Sequence, residues 1–193
     1  MTTILLARHG ETDWNRDNRF QGHADPPLNE TGRAQAAELA AALAEEPLAA
    51  VYSSPLQRAF ETAEIVASPH GLQPVPVEAL SEVDVGSWEG LTRAEIEERF
   101  PAQFARWLAY EQGWDDGETY DEMGARVLAA LLELAAAHEG DEILVVSHGG
   151  PVRAAYALAD RITHAEARRR GPVVANAFMA RFAVEDGKLR RVD

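Results

Sequence analysis

Two apolar segments, Ile4-Leu5-Leu6-Ala7-Arg8-His9-Gly10 and Ile143-Leu144-Val145-Val146-Ser147-His148-Gly149, repeat one pattern 139 positions apart. Each is an unbroken run of four apolar residues followed by one polar residue and then His-Gly. Runs of this length without polar alternation read as strands buried on both faces, and such strands belong to parallel sheets. In an open parallel sheet, ligands sit in the crevice beyond the carboxyl ends of the strands. Two imidazoles that end two such strands can therefore face one pocket, and the glycine after each lets backbone approach a ligand closely. The alternative is that each histidine merely ends its strand and hydrogen-bonds locally.

The rest of the chain alternates in the same manner. Glu30 to Glu45 predicts a helix capped by Asn29, with Pro47 just past its end, and Leu48 to Ser53 predicts a strand. Pro55 predicts the start of a helix, and Val75 to Val77 a short third strand. Leu91 to Gln112 has a helical pattern broken at Pro101. Thr119 to His138 predicts a long helix with the stripe Met123, Val127, Leu131, Leu134. After the strand Ile143 to Ser147 a helix is expected from about Val152. Val174 to Val184 and Lys188 to Val192 predict a hairpin turning at Asp186-Gly187. The fold class that follows is α/β: a three-layer sandwich with a mainly parallel sheet and helices on both faces. At 193 residues the expectation is one domain spanning 1–193.

Composition narrows the function classes. There is no cysteine, which removes disulfides, thiolate nucleophiles and cysteine-ligated metals and fits a cytoplasmic protein. The longest apolar runs, such as Val127 to Leu132, fall far short of a membrane span. Ile4 to Ala7 is too brief for a secretory signal; no basic residue precedes it and Arg8 ends it. A formal charge of −14 argues against a nucleic-acid partner. Such a chain can bind a small anion only where basic groups locally overturn the global field.

The arginines suggest where. Arg58, in Ser53-Ser54-Pro55-Leu56-Gln57-Arg58, falls in the first turn of a helix, whose free N–H groups already suit phosphate. A cation is unfavourable there, so an anion is expected to meet it; otherwise Arg58 is a solvated surface residue. Arg8 adjoins His9, and guanidinium forks match phosphate oxygens. Arg16 and Arg19 are expected in the rim or in surface pairs. With no cysteine and no Gly-x-Ser-x-Gly element, imidazole is the covalent catalyst available. A mostly neutral histidine can attack phosphorus without anion–anion repulsion while arginines hold the equatorial oxygens. The leaving oxygen needs a proton, and Glu82, Asp84 and Glu89 compete for that part; spacing does not rank them. No His-Glu-x-x-His or His-x-His occurs, so a metal reading is weak and no cofactor is expected. His70, His138 and His164 are expected to be solvated, while His23 falls near the pocket. Trp107, Tyr110 and Trp114 either line an apolar side of the pocket or pack its cover, with packing the favoured reading.

These residues together resemble the histidine phosphatase superfamily, the phosphoglycerate-mutase-like fold. The resemblance runs from Leu6-Ala7-Arg8-His9-Gly10-Glu11-Thr12 with Trp14-Asn15, through Gln21-Gly22, Asp25 to Leu28 and Gly32 with Gln35-Ala36. It continues in Ser53-Ser54-Pro55 to Arg58-Ala59 with Thr62-Ala63, Glu82 with Gly86 and Trp88-Glu89-Gly90, Gly117-Glu118 and Ser147-His148-Gly149. The resemblance implies His9 as phosphorylated nucleophile and Glu82 as proton donor, ahead of Asp84 and Glu89. Arg8, Arg58 and His148 would hold the phosphoryl group beside Gly149. Asn15 would add a contact, and Gln21 with Gly22 would lie near the substrate. Pro27-Leu28-Asn29 departs from the Pro-Leu-Thr that relatives often carry, a change of helix cap. The family contains mutases and phosphatases, and mutases look longer between the acid and the Gly-Glu element. Here 34 residues, 83 to 116, separate them. A short helical cover at about 83–118 should admit water, which favours hydrolysis of a small phosphorylated metabolite over mutase activity. A non-catalytic phosphate-binding module is the third reading. His23 and Asp25 are candidates for tuning specificity, and a homodimer is left open.

Overall fold

The structure, a computed structural model, describes residues 1–171 and 174–192. Six strands form one sheet: β1 (Thr2–Arg8), β2 (Leu48–Ser53), β3 (Val75–Pro76), β4 (Glu142–Ser147), β5 (Met179–Glu185) and β6 (Lys188–Arg191). Their order is β3-β2-β4-β1-β5-β6. The first four are parallel, whereas β5 runs antiparallel to β1 and pairs with β6 in the C-terminal hairpin. The mainly parallel α/β sandwich expected from the sequence is the one observed.

Period-two geometry explains the three layers. Along β1 and β4, Ile4, Leu6, Ile143 and Val145 enter one core, and Leu5, Ala7, Leu144 and Val146 enter the other. The second core is closed by helices α2 (Glu30–Leu43) and α3 (Gln57–Ala67), through Leu39, Leu43, Ala59, Ala63 and Val66. The first is closed by α6 (Tyr120–Ala137) and α7 (Gly149–Asp160), through Met123, Val127, Leu131, Val152 and Ala155. Between β3 and α6 lies the cover, α4 (Arg93–Arg99) and α5 (Pro101–Leu108), broken at Pro101 as the sequence predicts. The short α1 (Asp13–Arg16) and α8 (His164–Arg170) complete the set.

Local signals account for most boundaries. Asn29 Oδ1 accepts from the Gly32 N–H and caps α2, so the Pro-Leu-Asn departure preserves the cap. Reciprocal Thr-x-x-Glu boxes start α4, α6 and α8. Three elements differ from expectation. Helix α3 begins at Gln57, not at Pro55, because Leu56 is extended. Helix α7 begins three residues before Val152, directly after His148, which is still extended and forms its N-cap. The last hairpin's first strand starts at Met179, five residues beyond Val174; residues 176–177 form a turn, with Ala177 at φ 53°. Gly10 and Gly32 are needed for close approach: a Cβ on Gly10 would lie 2.3 Å from the Gly32 carbonyl oxygen. The first turn of α2 therefore packs directly on the backbone after His9.

Candidate active site

Adjacent parallel strands bring the two His-Gly ends together. β1 and β4 pair in register up to Arg8 opposite Ser147, and the His9 N–H donates to the Ser147 carbonyl at 3.0 Å. The imidazoles of His9 and His148 consequently meet edge to face, with ring centroids 5.1 Å apart. β2 ends on the other side of β4, where the Ser54 N–H donates to the Val146 carbonyl. Its hydroxyl lies 2.8 Å from His148 Nε2. Arg58 follows in the first turn of α3 and is wholly buried. Three neighbouring strand ends thus supply two histidines, one serine and one arginine.

Hydrogen bonds set the chemistry of each group. His9 Nδ1 lies 2.6 Å from the Gly10 carbonyl oxygen. A carbonyl only accepts, so Nδ1 carries the proton and Nε2 keeps its lone pair. Burial first, then Arg8 and Arg58, holds the His9 imidazole well below its ordinary pKa. Burial and Arg58 do the same to His148. Arg58 donates to the carbonyls of Ala24 and Gly22 at 2.6 and 2.9 Å, and burial presses its pKa down to about 10, still a cation near neutrality. Arg8 donates to the Val174 carbonyl, and the Nε atoms of both arginines are buried without a partner among the described residues. Glu82 accepts from the backbone N–H groups of Val83 and, at the start of α7, Gly150. Arg8, His9, Arg58 and Glu82 line a cavity of about 210 Å³, together with Asn15, Gln21 and Gly22, whereas His148 is wholly buried against the His9 ring and is not part of that lining.

The family model for histidine phosphatase superfamily (branch 1) covers residues 4–192. Phosphoserine phosphatase 1 of Hydrogenobacter thermophilus is 37% identical over 158 residues, 81% of this chain and 75% of that one. The metal-independent phosphoserine phosphatase of Arabidopsis thaliana is 39% identical over 170 residues, 86% and 70% of the two chains. The solved structure of Bacillus stearothermophilus YhfR superposes with a TM-score of 0.91 at 33% identity, covering 99% of this chain and 95% of that one. The chain belongs to the histidine phosphatase superfamily. It is a phosphatase of that superfamily, a hydrolase acting on phosphate esters.

Within this histidine phosphatase the remaining sequence candidates fall into place unevenly. Asp84 caps the Gly86 N–H and Glu89 accepts from the Ala24 N–H, while Glu82 lines the cavity. Asn15 Oδ1 accepts from the Thr12 N–H and from Asn176, and Gln21 accepts from the Thr12 hydroxyl. Gly22, at φ 49°, turns its carbonyl toward Arg58. Gly149 leaves room beside the Arg8 guanidinium, which its Cβ would meet at 3.7 Å. Arg16 is in surface pairs with Asp13 and Asp17, and Arg19 sits on the rim, bonded to Glu95. His23 donates from Nε2 to the Glu82 carbonyl, and Asp25 caps α3 at the Gln57 N–H. Trp107 and Trp114 do both things weighed for them: they pack around Trp88 and also line the cavity. Tyr110 is exposed beside Arg168 and Arg169.

The expectation that His70, His138 and His164 are solvated is overturned, most fully at His164. His164 is not solvated but 9% exposed, stacked on Tyr120 at 4.1 Å, and lines the same cavity. Its helix is signalled by Thr163-x-x-Glu166, but its burial depends on Tyr120, 44 positions away. His70 and His138 are half-buried, His138 lying 2.8 Å from the Tyr52 hydroxyl. Arg126 carried no sequence signal either. From α6 it donates to the carbonyls of Ala79, Ser81 and Glu82 and pairs with Glu118 at 2.6 Å. The Gly-Glu element thereby anchors the loop that presents Glu82. Among the described residues no cluster of three or more His, Cys, Asp or Glu could hold a metal ion, and no helix is long and apolar enough to cross a membrane.

Three buried neutral histidines make stability depend on pH. His9 and His148 lie well below 6.5, and burial with Arg153 and Arg168 takes His164 to about 3. Below about 6.5 the unfolded chain binds protons that the folded protein refuses, so stability is full above that pH and falls as pH drops beneath it. Each histidine contributes a slope of up to about 1.4 kcal/mol per pH unit. Urea unfolding midpoints should decline between pH 7 and 5, more shallowly in His164→Phe; parallel slopes would contradict this.

Proposed function

We propose that residues 1–193 act as one phosphomonoesterase domain that hydrolyses a small phosphorylated metabolite through phosphohistidine on His9. The observation that carries this reading is the His9 Nδ1 contact with the Gly10 carbonyl, which leaves a neutral Nε2 beside Arg8, Arg58 and His148. Nε2 attacks phosphorus, the P–O bond to the leaving group breaks, and Glu82 gives that oxygen its proton. Arg8, Arg58 and His148 stabilise the charge spread over the three equatorial oxygens, with Asn15, Gln21, Gly22 and Gly149 shaping the surround. Glu82, now ionised, takes a proton from water as the water attacks phosphorus, releasing phosphate and restoring His9. The chain's own groups account for every proton, and the 83–118 cover leaves water access to the intermediate.

The test is a panel of phosphorylated metabolites assayed for phosphate release with a chelator present. Release from at least one small monoester, undiminished by chelator, is the expected result. Isomerisation of 3-phosphoglycerate outpacing phosphate release in the presence of a bisphosphate primer would favour a mutase instead.

A further inference from the structure

The residues just ahead of β5 reach back to the backbone that carries the nucleophile. The Arg8 N–H donates to the Phe178 carbonyl at 2.9 Å, and the Ala177 N–H donates to the His9 carbonyl at 3.1 Å. Asn176 Nδ2 donates to that same His9 carbonyl at 3.2 Å and to Asn15 Oδ1 at 3.1 Å. Ala177, at φ 53°, occupies the left-handed region that alanine rarely adopts. Backbone of that kind persists where the surrounding bonds over-determine it, and the bonds here are those to Arg8 and His9.

Two backbone groups fix which way both amides face. A backbone N–H only donates, so the Asn15 atom opposite the Thr12 N–H is oxygen. A carbonyl only accepts, so the Asn176 atom opposite the His9 carbonyl is nitrogen. That nitrogen has two hydrogens, one for His9 and one for Asn15. Asn15 Oδ1 therefore accepts from both Thr12 and Asn176, while its Nδ2 donates to no acceptor among the described residues. Asn15 lines the cleft and Asn176 does not. The helix that carries Asn15, α1, is four residues long, and one turn is not stable by itself. The Thr12 capping box holds its start, and Asn176 ties it to the chain entering β5.

We propose that Asn176 is a positioning residue for phosphoryl transfer. It fastens the Asn15 amide with the NH2 group turned into the cleft, where that group donates to an oxygen of the transferring phosphoryl. This deepens, and rests on, the phosphatase reading above. The effect runs through Asn15 more than through the His9 carbonyl, because the Ala177 N–H still donates to that carbonyl when Asn176 is changed.

The experiment compares wild type, Asn15→Ala, Asn176→Leu and the double variant. It measures kcat and KM for 4-nitrophenyl phosphate, and the dissociation constant of orthovanadate by calorimetry. Leucine matches asparagine in size and removes both donors. Asn15→Ala should raise KM and the vanadate constant by roughly tenfold or more, the scale of a hydrogen bond to a charged group. Asn176→Leu should raise both by roughly three- to tenfold, the scale of a neutral bond, with kcat changed less. The double variant should be no more than about twofold worse than Asn15→Ala, because residues that act through one contact are not additive. Loss of stability alone would lower the unfolding temperature without moving KM or vanadate binding of the folded protein. Asn176→Ala carries the comparison should the leucine variant fail to unfold cooperatively. Vanadate binding within about twofold of wild type in the folded Asn176 variant, or losses that multiply in the double variant, overturns the proposal. Wild-type protein that releases phosphate from neither 4-nitrophenyl phosphate nor any monoester of the panel sinks the phosphatase reading itself, and the vanadate series still decides the part of Asn176.

Discussion

His9→Ala should lose phosphate release by roughly 10⁴-fold or more, because it removes the only protein atom in the proposed route that bonds to phosphorus. The variant should still fold. His9 contributes no apolar core packing on the scale of Leu5 or Leu6, and the main structural loss is the acceptor bond at the Gly10 carbonyl. An unsatisfied buried carbonyl costs about 1–3 kcal/mol, which a domain of this size survives. Two measurements separate chemistry from folding. Cooperative urea unfolding should persist, and wild-type protein quenched during turnover should carry a phosphoryl adduct that maps to His9 by mass and is missing in the variant. Turnover by His9→Ala close to that of wild type would mean that another group attacks phosphorus.

Glu82→Gln should lower turnover of alkyl phosphates by roughly 10²–10⁴-fold, the range for removing a positioned general acid. Glutamine keeps an amide oxygen that can still accept from the Val83 and Gly150 N–H groups, so the loop should hold its position. The deficit should shrink sharply for aryl phosphates, whose acidic phenol leaves without a proton. That dependence on the leaving group is the informative readout, because a variant damaged only in structure would lose both substrates alike. A uniform loss across leaving groups would remove Glu82 from the proton-transfer role.

Much of this could be read without coordinates. The unbroken apolar runs at Ile4 and Ile143 are strands with both faces buried, and their alternate residues do enter two separate cores. Caps and breakers placed most helices within a few residues: Asn29 for α2, Thr119 for α6, Pro101 between α4 and α5. Where boundaries slipped, at Pro55, Val152 and Val174, the deciding factor was a turn conformation that residue type alone leaves open. At the site, Arg8, His9, Arg58 and His148 were legible because each sits at or just after a strand end, and in a parallel sheet neighbouring ends share a crevice. Glu82 stood level with Asp84 and Glu89 until the resemblance to a family separated them. The fold then gave Asp84 and Glu89 other hydrogen bonds.

Periodicity, caps and the order of strand and helix are short-range properties, written in residues a few positions apart, and for those this chain needed no structure. The meeting of His164 with Tyr120, the grip of Arg126 on the carbonyls around Glu82, and the gathering of Arg153 and Arg168 at the far end of the cleft depend on residues tens of positions apart. No local rule encodes such contacts. They exist because packing α6, α7, α8 and the cover onto one face of the sheet leaves a cavity whose lining is drawn from distant parts of the chain.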